Sequence, residues 1–340
     1  MKLSWEKVTV RTRYPFIIAR GGSSNWGLVW VRLLGSDGVE GWGEAAPSSF
    51  YGETADTVVA ALERLRPSIE AADSWSLEAI ESELARVIRF NGAARSAVSA
   101  ALHDLEGKRL GVPLYRVWGL DPTASPPSSF TIGIPERDED LAQRVHDAGS
   151  YPVLKVKLGS PRDEFIIRTV RDLAPGKTLR VVANAAWTPR HAVRMIDLLA
   201  EVGVEFVEQP LPAHDIDGLR FVRDRSRLPI IADESCIVAT DIPKLAGAVD
   251  GVNIKLAKCG GLREALRMIA VARAHGMLVM AGCMIESSLG ITAAAHFAPL
   301  LDYADLDGAA LLAQDPARGA TIDGGRIVLP EAPGLGVVRG

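Results

Sequence analysis

Lysines and carboxylates recur at the ends of short apolar runs between residues 150 and 310. Leu154-Lys155-Val156-Lys157 sets two amines at alternate positions, and Lys255 and Lys258 follow a later run that begins at Gly251. Between them stand Glu208 of Val207-Glu208-Gln209-Pro210, then Asp233 and Glu234 of Ile231-Ala232-Asp233-Glu234. Glu286 comes next, and the last run carries Asp305-Leu306-Asp307. One further run, Arg180-Val181-Val182-Ala183-Asn184, ends in an amide, with an apolar Val182 two residues before Asn184. Each group alone has an ordinary reading. Lys155 or Lys258 is then an ion-paired lysine, Glu208 a salt-bridge partner, and Asp305 and Asp307 caps for the turn that follows. A ring of such groups is different, because ionised side chains are costly to bury unless they are paired.

The residue types suit one chemistry. Glu208 and Asp233 are hard oxygen donors suited to Mg2+. A divalent ion beside a substrate carboxylate favours an enediolate formed by loss of the α-proton. A lysine can take that proton if its pKa falls from about 10.4 toward 7–8, and a nearby cation or second lysine pushes it that way. Two such lysines on opposite sides of one α-carbon, Lys157 and Lys255, would remove the proton on one face and return it on the other. That arrangement inverts a stereocentre.

Eight apolar runs carry these groups, and the pattern predicts strands over 128–134, 152–158, 178–184, 205–208, 229–233, 251–256, 278–283 and 303–307. Helical periodicity separates them, as in 163–173, 191–202 and 262–275. Eight strand–helix repeats argue for a closed (β/α)8 barrel, whose active site lies at the C-terminal strand ends. The barrel is expected over residues 126–315, after the Pro-rich stretch 121–127. Residues 1–125 read as an α+β capping unit. It has strands joined by a hairpin signal at Ser36-Asp37-Gly38, then helices over 54–65, 76–88 and 93–108. The tail, 316–340, is expected to return to that cap. Among 340 residues with a net charge of −4, nothing favours nucleic acid or an anionic membrane as partner. No apolar run approaches the ~18 residues of a membrane span. The three cysteines, Cys236, Cys259 and Cys283, lack metal-type spacing and read as reduced thiols of a cytoplasmic protein.

These motifs resemble the enolase superfamily, and within it the muconate-lactonising subgroup, over nearly the whole chain. The resemblance rests on Gly41-Trp-Gly-Glu-Ala-Ala-Pro47, Leu154-Lys-Val-Lys-Leu-Gly159, Val207-Glu-Gln-Pro-Leu211 and Ile231-Ala-Asp-Glu-Ser235. Asn253-Ile-Lys-Leu-Ala-Lys-Cys-Gly-Gly261 and Ile285-Glu-Ser-Ser-Leu-Gly290 complete it. Lysine bases assisted by Mg2+ are already a known pattern of that superfamily, so the pairing itself is not new here. The resemblance implies Lys157 and Lys255 as the two bases, Glu208 and Asp233 as ligands of one Mg2+ per chain, and Lys155 as a helper near the substrate carboxylate. Asp305-Leu306-Asp307 resembles the dipeptide epimerases, in which such a pair receives the substrate's α-ammonium group. Thr131 and Ile285 would line that pocket. Residues 18–26 and 48–51 are expected to be loops that close over it. N-acylamino-acid racemases, o-succinylbenzoate synthases and a noncatalytic peptide binder are the alternatives; the first two need no ammonium site. One departure stands out. The subgroup places an aspartate, its first metal ligand, where this chain has Val182, which leaves Asn184 as the candidate substitute. Related barrels tend to form homo-oligomers, and the same is expected here.

Overall fold

A computed structural model describes residues 1–340. Three antiparallel strands open the chain: β1 (Lys2–Ile18), β2 (Gly21–Leu34) and β3 (Glu40–Ala45). Helices α1 (Ala55–Ala71), α2 (Leu77–Val87) and α3 (Gly92–Leu110) cover one face of this sheet. Thr54 caps α1 by accepting from the Thr57 amide, and α3 stops at Gly111, whose φ of 71° favours glycine. The α1 periodicity predicts an end before Pro67, yet the helix runs on to Ala71, because Ile69 is fully buried in the cap core and anchors the last turn.

The Gly41-Trp42-Gly43 motif has a packing cause. The side of β3 that meets α3 has no room for side chains. A Cβ on Gly43 would lie 2.0 Å from the Ala97 carbonyl oxygen, and one on Gly41 would lie 1.9 Å from that of Ala101. The facing helix surface is correspondingly small, with Ala93, Ala94, Ala97 and Ala101 all buried.

After α4 (Leu114–Val117) the chain alternates strand and helix. The order is β4 (Phe130–Ile132), α5 (Asp138–Asp147), β5 (Val153–Lys157), α6 (Asp163–Leu173), β6 (Thr178–Val182) and α7 (Pro189–Glu201). Then come β7 (Val204–Glu208), α8 (Ile216–Arg223), β8 (Ile230–Ala232), α9 (Ile242–Leu245), β9 (Gly251–Ile254) and α10 (Leu256–Cys259). The series ends with α11 (Leu262–Ala274), β10 (Leu278–Gly282), α12 (Ser288–Ala295) and β11 (Tyr303–Asp305). β4 to β11 form one parallel sheet of eight strands in sequence order, and Ser129 N donating to Ala304 O at 3.0 Å closes it into a barrel. Except for β7, the strands end one or two residues earlier than the apolar runs suggest. At β9, for example, the chain leaves the sheet after Ile254 and coils at once into α10, so Lys255 caps a helix rather than ending a strand.

Strand period decides what points inward. Leu154 and Val156 of β5 face the helix layer and join the main apolar core, so Lys155 and Lys157 face the barrel axis. The N-terminal end of the barrel is filled by Phe206, Ile231 and Met280, with Arg180 stacked 4.6 Å from the Tyr303 ring centroid and paired to Glu205 at 2.7 Å. Apolar packing thus fills the bottom and leaves the polar groups at the top.

The cap is tied to that top. Its β1–β2 hairpin reaches the barrel mouth, where Ile134 N donates to Ile17 O at 3.0 Å. The residues expected as a loop over 18–26 are therefore mostly strand: Phe16, Ile17 and Ile18 pair with Ser23, Gly22 and Gly21. Cross-strand hydrogen bonding satisfies backbone groups that a loop would leave to water. The tail lies beside both units. Leu335 N donates to Asp104 Oδ1 of α3 at 2.7 Å, Arg339 pairs with Glu6 at 2.6 Å, and Tyr151 Oη of the barrel donates to Ile322 O at 3.0 Å. No helix is long and apolar enough to cross a membrane.

Gly43→Ala should lower stability by about 3 kcal/mol, because its new methyl meets backbone that cannot yield cheaply. Gly38→Ala meets nothing within 4 Å and pays only for a φ of 79°, about 1 kcal/mol. Chemical denaturation of the two variants should rank them in that order; equal losses would contradict the close-packing account.

Candidate active site

One cavity of about 470 Å³ opens where the cap hairpin meets the strand ends. Barrel residues Thr131, Lys157, Asn184, Asp233, Glu234 and Lys255 line it, together with Cys283, Ile285, Asp305 and Asp307. The cap contributes Phe16, Ile18, Arg20, Trp26, Phe50 and Tyr51, so both segments expected to cover the pocket do so. β5 and β9 are four places apart in the eight-strand ring, which puts Lys157 and Lys255 on opposite walls of the mouth.

The two lysines sit in unlike surroundings. Lys255 Nζ is 2.8 Å from Asp233 Oδ2. Burial disfavours its charge, but Asp233 and Glu208 outweigh that and hold the pKa above the usual lysine value. Lys157 has no such partner. Burial, then the charges of Lys155 and Lys255, push it down to about 8, and its ammonium nitrogen lies 5.8 Å from the Phe16 ring centroid. Near neutral pH one wall therefore carries an amine close to release of its proton, and the opposite wall a firmly charged ammonium.

Lys155 is the most buried of the site lysines on this wall. It lies beneath the cavity rather than on its lining, with its side chain 1% exposed. Its Nζ is 2.7 Å from Glu208 Oε2 and 2.7 Å from Asp305 Oδ2. Two carboxylates from different strands draw it down, so it holds Asp305 rather than projecting toward a ligand. Ser129 Oγ adds a 2.6 Å bond to Asp305, and Thr131 N donates to Asp307 at 2.6 Å. Burial, with Lys155 and Lys157 prevailing over it, leaves Asp305 below its usual pKa. Burial and the charge of Asp305 raise Asp307 to about 7. Asp307 is thus a carboxyl that lacks a counter-charge.

The oxygen-rich side is arranged around Asp233. Burial opposes its charge, but Lys255 and Lys258 overcome that and hold its pKa well down. Lys258 Nζ is 2.6 Å from Asp233 Oδ1 and also donates to the carbonyls of Asp233, Cys236 and Asn253. Glu208 accepts from Asn253 Nδ2 at 2.9 Å besides pairing with Lys155. Val182 sits in register between Lys157 of β5 and Glu208 of β7, fully buried, and offers carbon where an oxygen would face the axis. Asn184 reaches the cavity from a left-handed backbone, φ 47°, which Asn tolerates better than most residues.

Three contributors escape the sequence pattern. Arg20 at the hairpin turn pairs with Glu234 Oε1 at 2.8 Å, donates to Asn184 O at 2.7 Å, and stacks 4.0 Å from the Phe50 ring centroid. Lys258 is visible in its motif, but the motif gives it no role. Ser129 carries no pattern that separates it from a loop serine. Cys283 also faces the cavity and remains a free thiol like the other two cysteines.

Known proteins share both halves of this arrangement. Residues 2–119 match the Mandelate racemase / muconate lactonizing enzyme, N-terminal domain, and residues 137–338 match the Enolase C-terminal domain-like family. The chain therefore belongs to the mandelate racemase/muconate lactonizing enzyme family of the enolase superfamily. Within it, the chain is 39% identical over its full length to the L-Ala-D/L-Glu epimerase of Bacteroides thetaiotaomicron, covering 88% of that protein. It is 40% identical to the L-Ala-D/L-amino acid epimerase of Maribacter sp., over 99% of both chains. Among solved structures, the dipeptide epimerase of Enterococcus faecalis complexed with Mg and L-Leu-L-Tyr superposes with a TM-score of 0.94. It is 32% identical, over 99% of this chain and 98% of that one.

Titration of the lysines tests the asymmetry directly. In 13C-lysine NMR, the Lys157 ε-carbon should shift with a midpoint near pH 8, while Lys155 and Lys255 stay unshifted to the alkaline limit of folding. An ordinary midpoint for Lys157, near 10.4, would remove the basis for calling the two walls unequal.

Proposed function

We propose that the chain is a dipeptide epimerase that inverts the α-carbon of the C-terminal residue of its substrate. The observation that carries this reading is the pair of lysines of unlike proton affinity facing each other across one cavity, Lys157 poised to release its proton and Lys255 held charged by Asp233. A dipeptide laid between them presents its α-hydrogen to Lys157 and the opposite face of the same carbon to Lys255. The Lys157 amine takes the α-proton. The Lys255 ammonium gives a proton to the other face, and the configuration is reversed. The reverse reaction runs from the state in which the two lysines have exchanged charge.

Asp305 and Asp307 set the orientation. Lys155 and Ser129 fix Asp305, and the Thr131 amide fixes Asp307. An α-ammonium brought beside Asp307 supplies the positive neighbour it lacks. A free dipeptide has that ammonium; an N-acylated amino acid does not, which favours the epimerase over the racemase and synthase alternatives. Phe16, Ile18 and Trp26 make the hairpin wall of the cavity apolar and keep water from the reacting carbon.

The donor set fits a hard divalent ion such as Mg2+. Glu208 and Asp233 are anionic oxygen donors, and Asn184 Oδ1 is buried with no partner in the chain. When bound, such an ion supplies positive charge beside the substrate carboxylate as negative charge develops there.

The test is deuterium incorporation in D2O with excess Mg2+ and a library of L,L-dipeptides. Label should enter at the α-carbon of the C-terminal residue, and the labelled members name the substrates. Lys157→Ala and Lys255→Ala should each abolish inversion, a fall of at least about 10³-fold. Inversion surviving in either variant would sink the two-base assignment.

A further inference from the structure

Two acceptor oxygens among the cavity-lining residues have no hydrogen-bond partner within the chain: Asn184 Oδ1 and Glu234 Oε2. Their residues are only 5% and 4% exposed. Buried acceptors without partners are costly, and each calls for a specific occupant. The two oxygens are neighbours. Asn184 Nδ2 donates to Glu234 Oε1 at 3.3 Å, and Arg20 donates to the same Oε1 at 2.8 Å. Both donors thus use one oxygen of Glu234 and leave the other free, and the Asn184 amide is turned so that its own oxygen stays free.

The two carboxylates expected to hold the ion already have lysine partners. Glu208 is engaged on both oxygens, by Asn253 and Lys155. Asp233 is engaged on both, by Lys255 and Lys258. Glu234 follows Asp233 directly, and residues adjacent in a strand would point to opposite faces. Here both line the cavity, because β8 ends at Ala232 and the chain turns. Gln209 Oε1 holds that turn by accepting from the amides of Asp233 and Ser235, at 2.9 and 3.1 Å.

We propose that Glu234 Oε2 and Asn184 Oδ1, the two free acceptors, hold a divalent cation beside Asp233, whose oxygens keep their lysines, and so replace the oxygen donor that Val182 does not provide. All the donors are oxygens, as Mg2+ or Mn2+ requires, and Mg2+ keeps several waters when one or two carboxylates bind it. The ion then sits toward the third- and fifth-strand ends, under the Arg20 latch of the cap. This deepens the epimerase reading and rests on it for the ion's purpose, though not for its binding.

The experiment measures Mn2+ binding to the full, chelator-stripped chain without substrate, from the free-ion signal in electron paramagnetic resonance. Wild type should bind one ion. Glu234→Gln should weaken binding at least about tenfold, and Asn184→Asp, which keeps tolerance of the left-handed backbone, should tighten it by about tenfold. A gain of affinity cannot come from misfolding. Val182→Asp should also tighten binding, and in that background the Glu234→Gln loss should shrink below about threefold, since the two carboxylates serve one need. Wild-type affinity in Glu234→Gln, or no Mn2+ bound by the wild type, overturns the proposal. Binding that follows this pattern without deuterium exchange in any dipeptide supports the cation site and counts against the epimerase reading alone.

Discussion

The barrel depends on pairing charge that its own strands bury. Lys155 sits at the centre of this constraint. Its ammonium, cut off from water, is 2.7 Å from carboxylates that arrive on β7 and on β11. β7 lies two strands from β5 within the sheet, but β11 comes near β5 only if the sheet closes, so Lys155 binds the two sides of the seam together. Removing one partner of such a set strands a buried charge at a cost of about 3–5 kcal/mol. Asp233 plays the complementary part on the far wall, one carboxylate between Lys255 and Lys258. The interior therefore carries its charges as matched groups, each assembled from different strands.

The chemistry follows from the one lysine left out of this matching. Lys157 has no carboxylate in ion-pair contact, and burial with the charges of Lys155 and Lys255 outweighs the pull of Glu208 and Asp305. Its low pKa is a by-product of how the others are satisfied. Asp233 does the reverse for Lys255. An acid and a base of the same residue type arise from a single difference in partners, the general way one fold obtains both at neutral pH. On the substrate side, Asp305 is neutralised by Lys155 and Asp307 is not, so the pair offers one fixed carboxylate and one that awaits a cation.

Much of this is legible in the sequence because strand geometry is simple. Lys155 and Lys157 two apart must share a face, and alternation with helices fixes which end of the barrel is polar. The eight strands and the ring of ionisable groups follow from that. The pairings do not. Whether Lys155 faces a ligand or reaches down to Glu208 and Asp305 depends on distances across the barrel, which no local pattern encodes. Arg20 looks in sequence like one more loop residue, because its partners are 164 and 214 positions away. The hairpin around it reads as a loop since its glycines and serines mask a strand pairing made between its own two arms. The free oxygen of Glu234 is subtler still, as it depends on which of two equivalent atoms the neighbours use.

The matched interior also explains how a valine can stand at position 182. A carboxylate there would face the barrel axis with Lys155 already engaged and would draw Lys157, its neighbour in register, into an ion pair that raises the lysine's pKa. Valine avoids that pairing and adds a β-branched side chain suited to a strand. Glu208 and Asp233 lose nothing structural, since lysines satisfy both whether or not an ion is near. Valine thus leaves the fold self-sufficient, and the proposed cation site lies instead at residues beyond the strand ends. Those residues are less constrained by the sheet: Asn184 and Ala185 both take left-handed backbone, with φ of 47° and 65°. Strain of that kind persists where surrounding contacts enforce it, and here the Gln209 carbonyl does so by accepting from the Ala185 amide at 2.8 Å. The proposed cation site is consequently tied to the turns after β6 and β8, and through Arg20 to the cap that covers them.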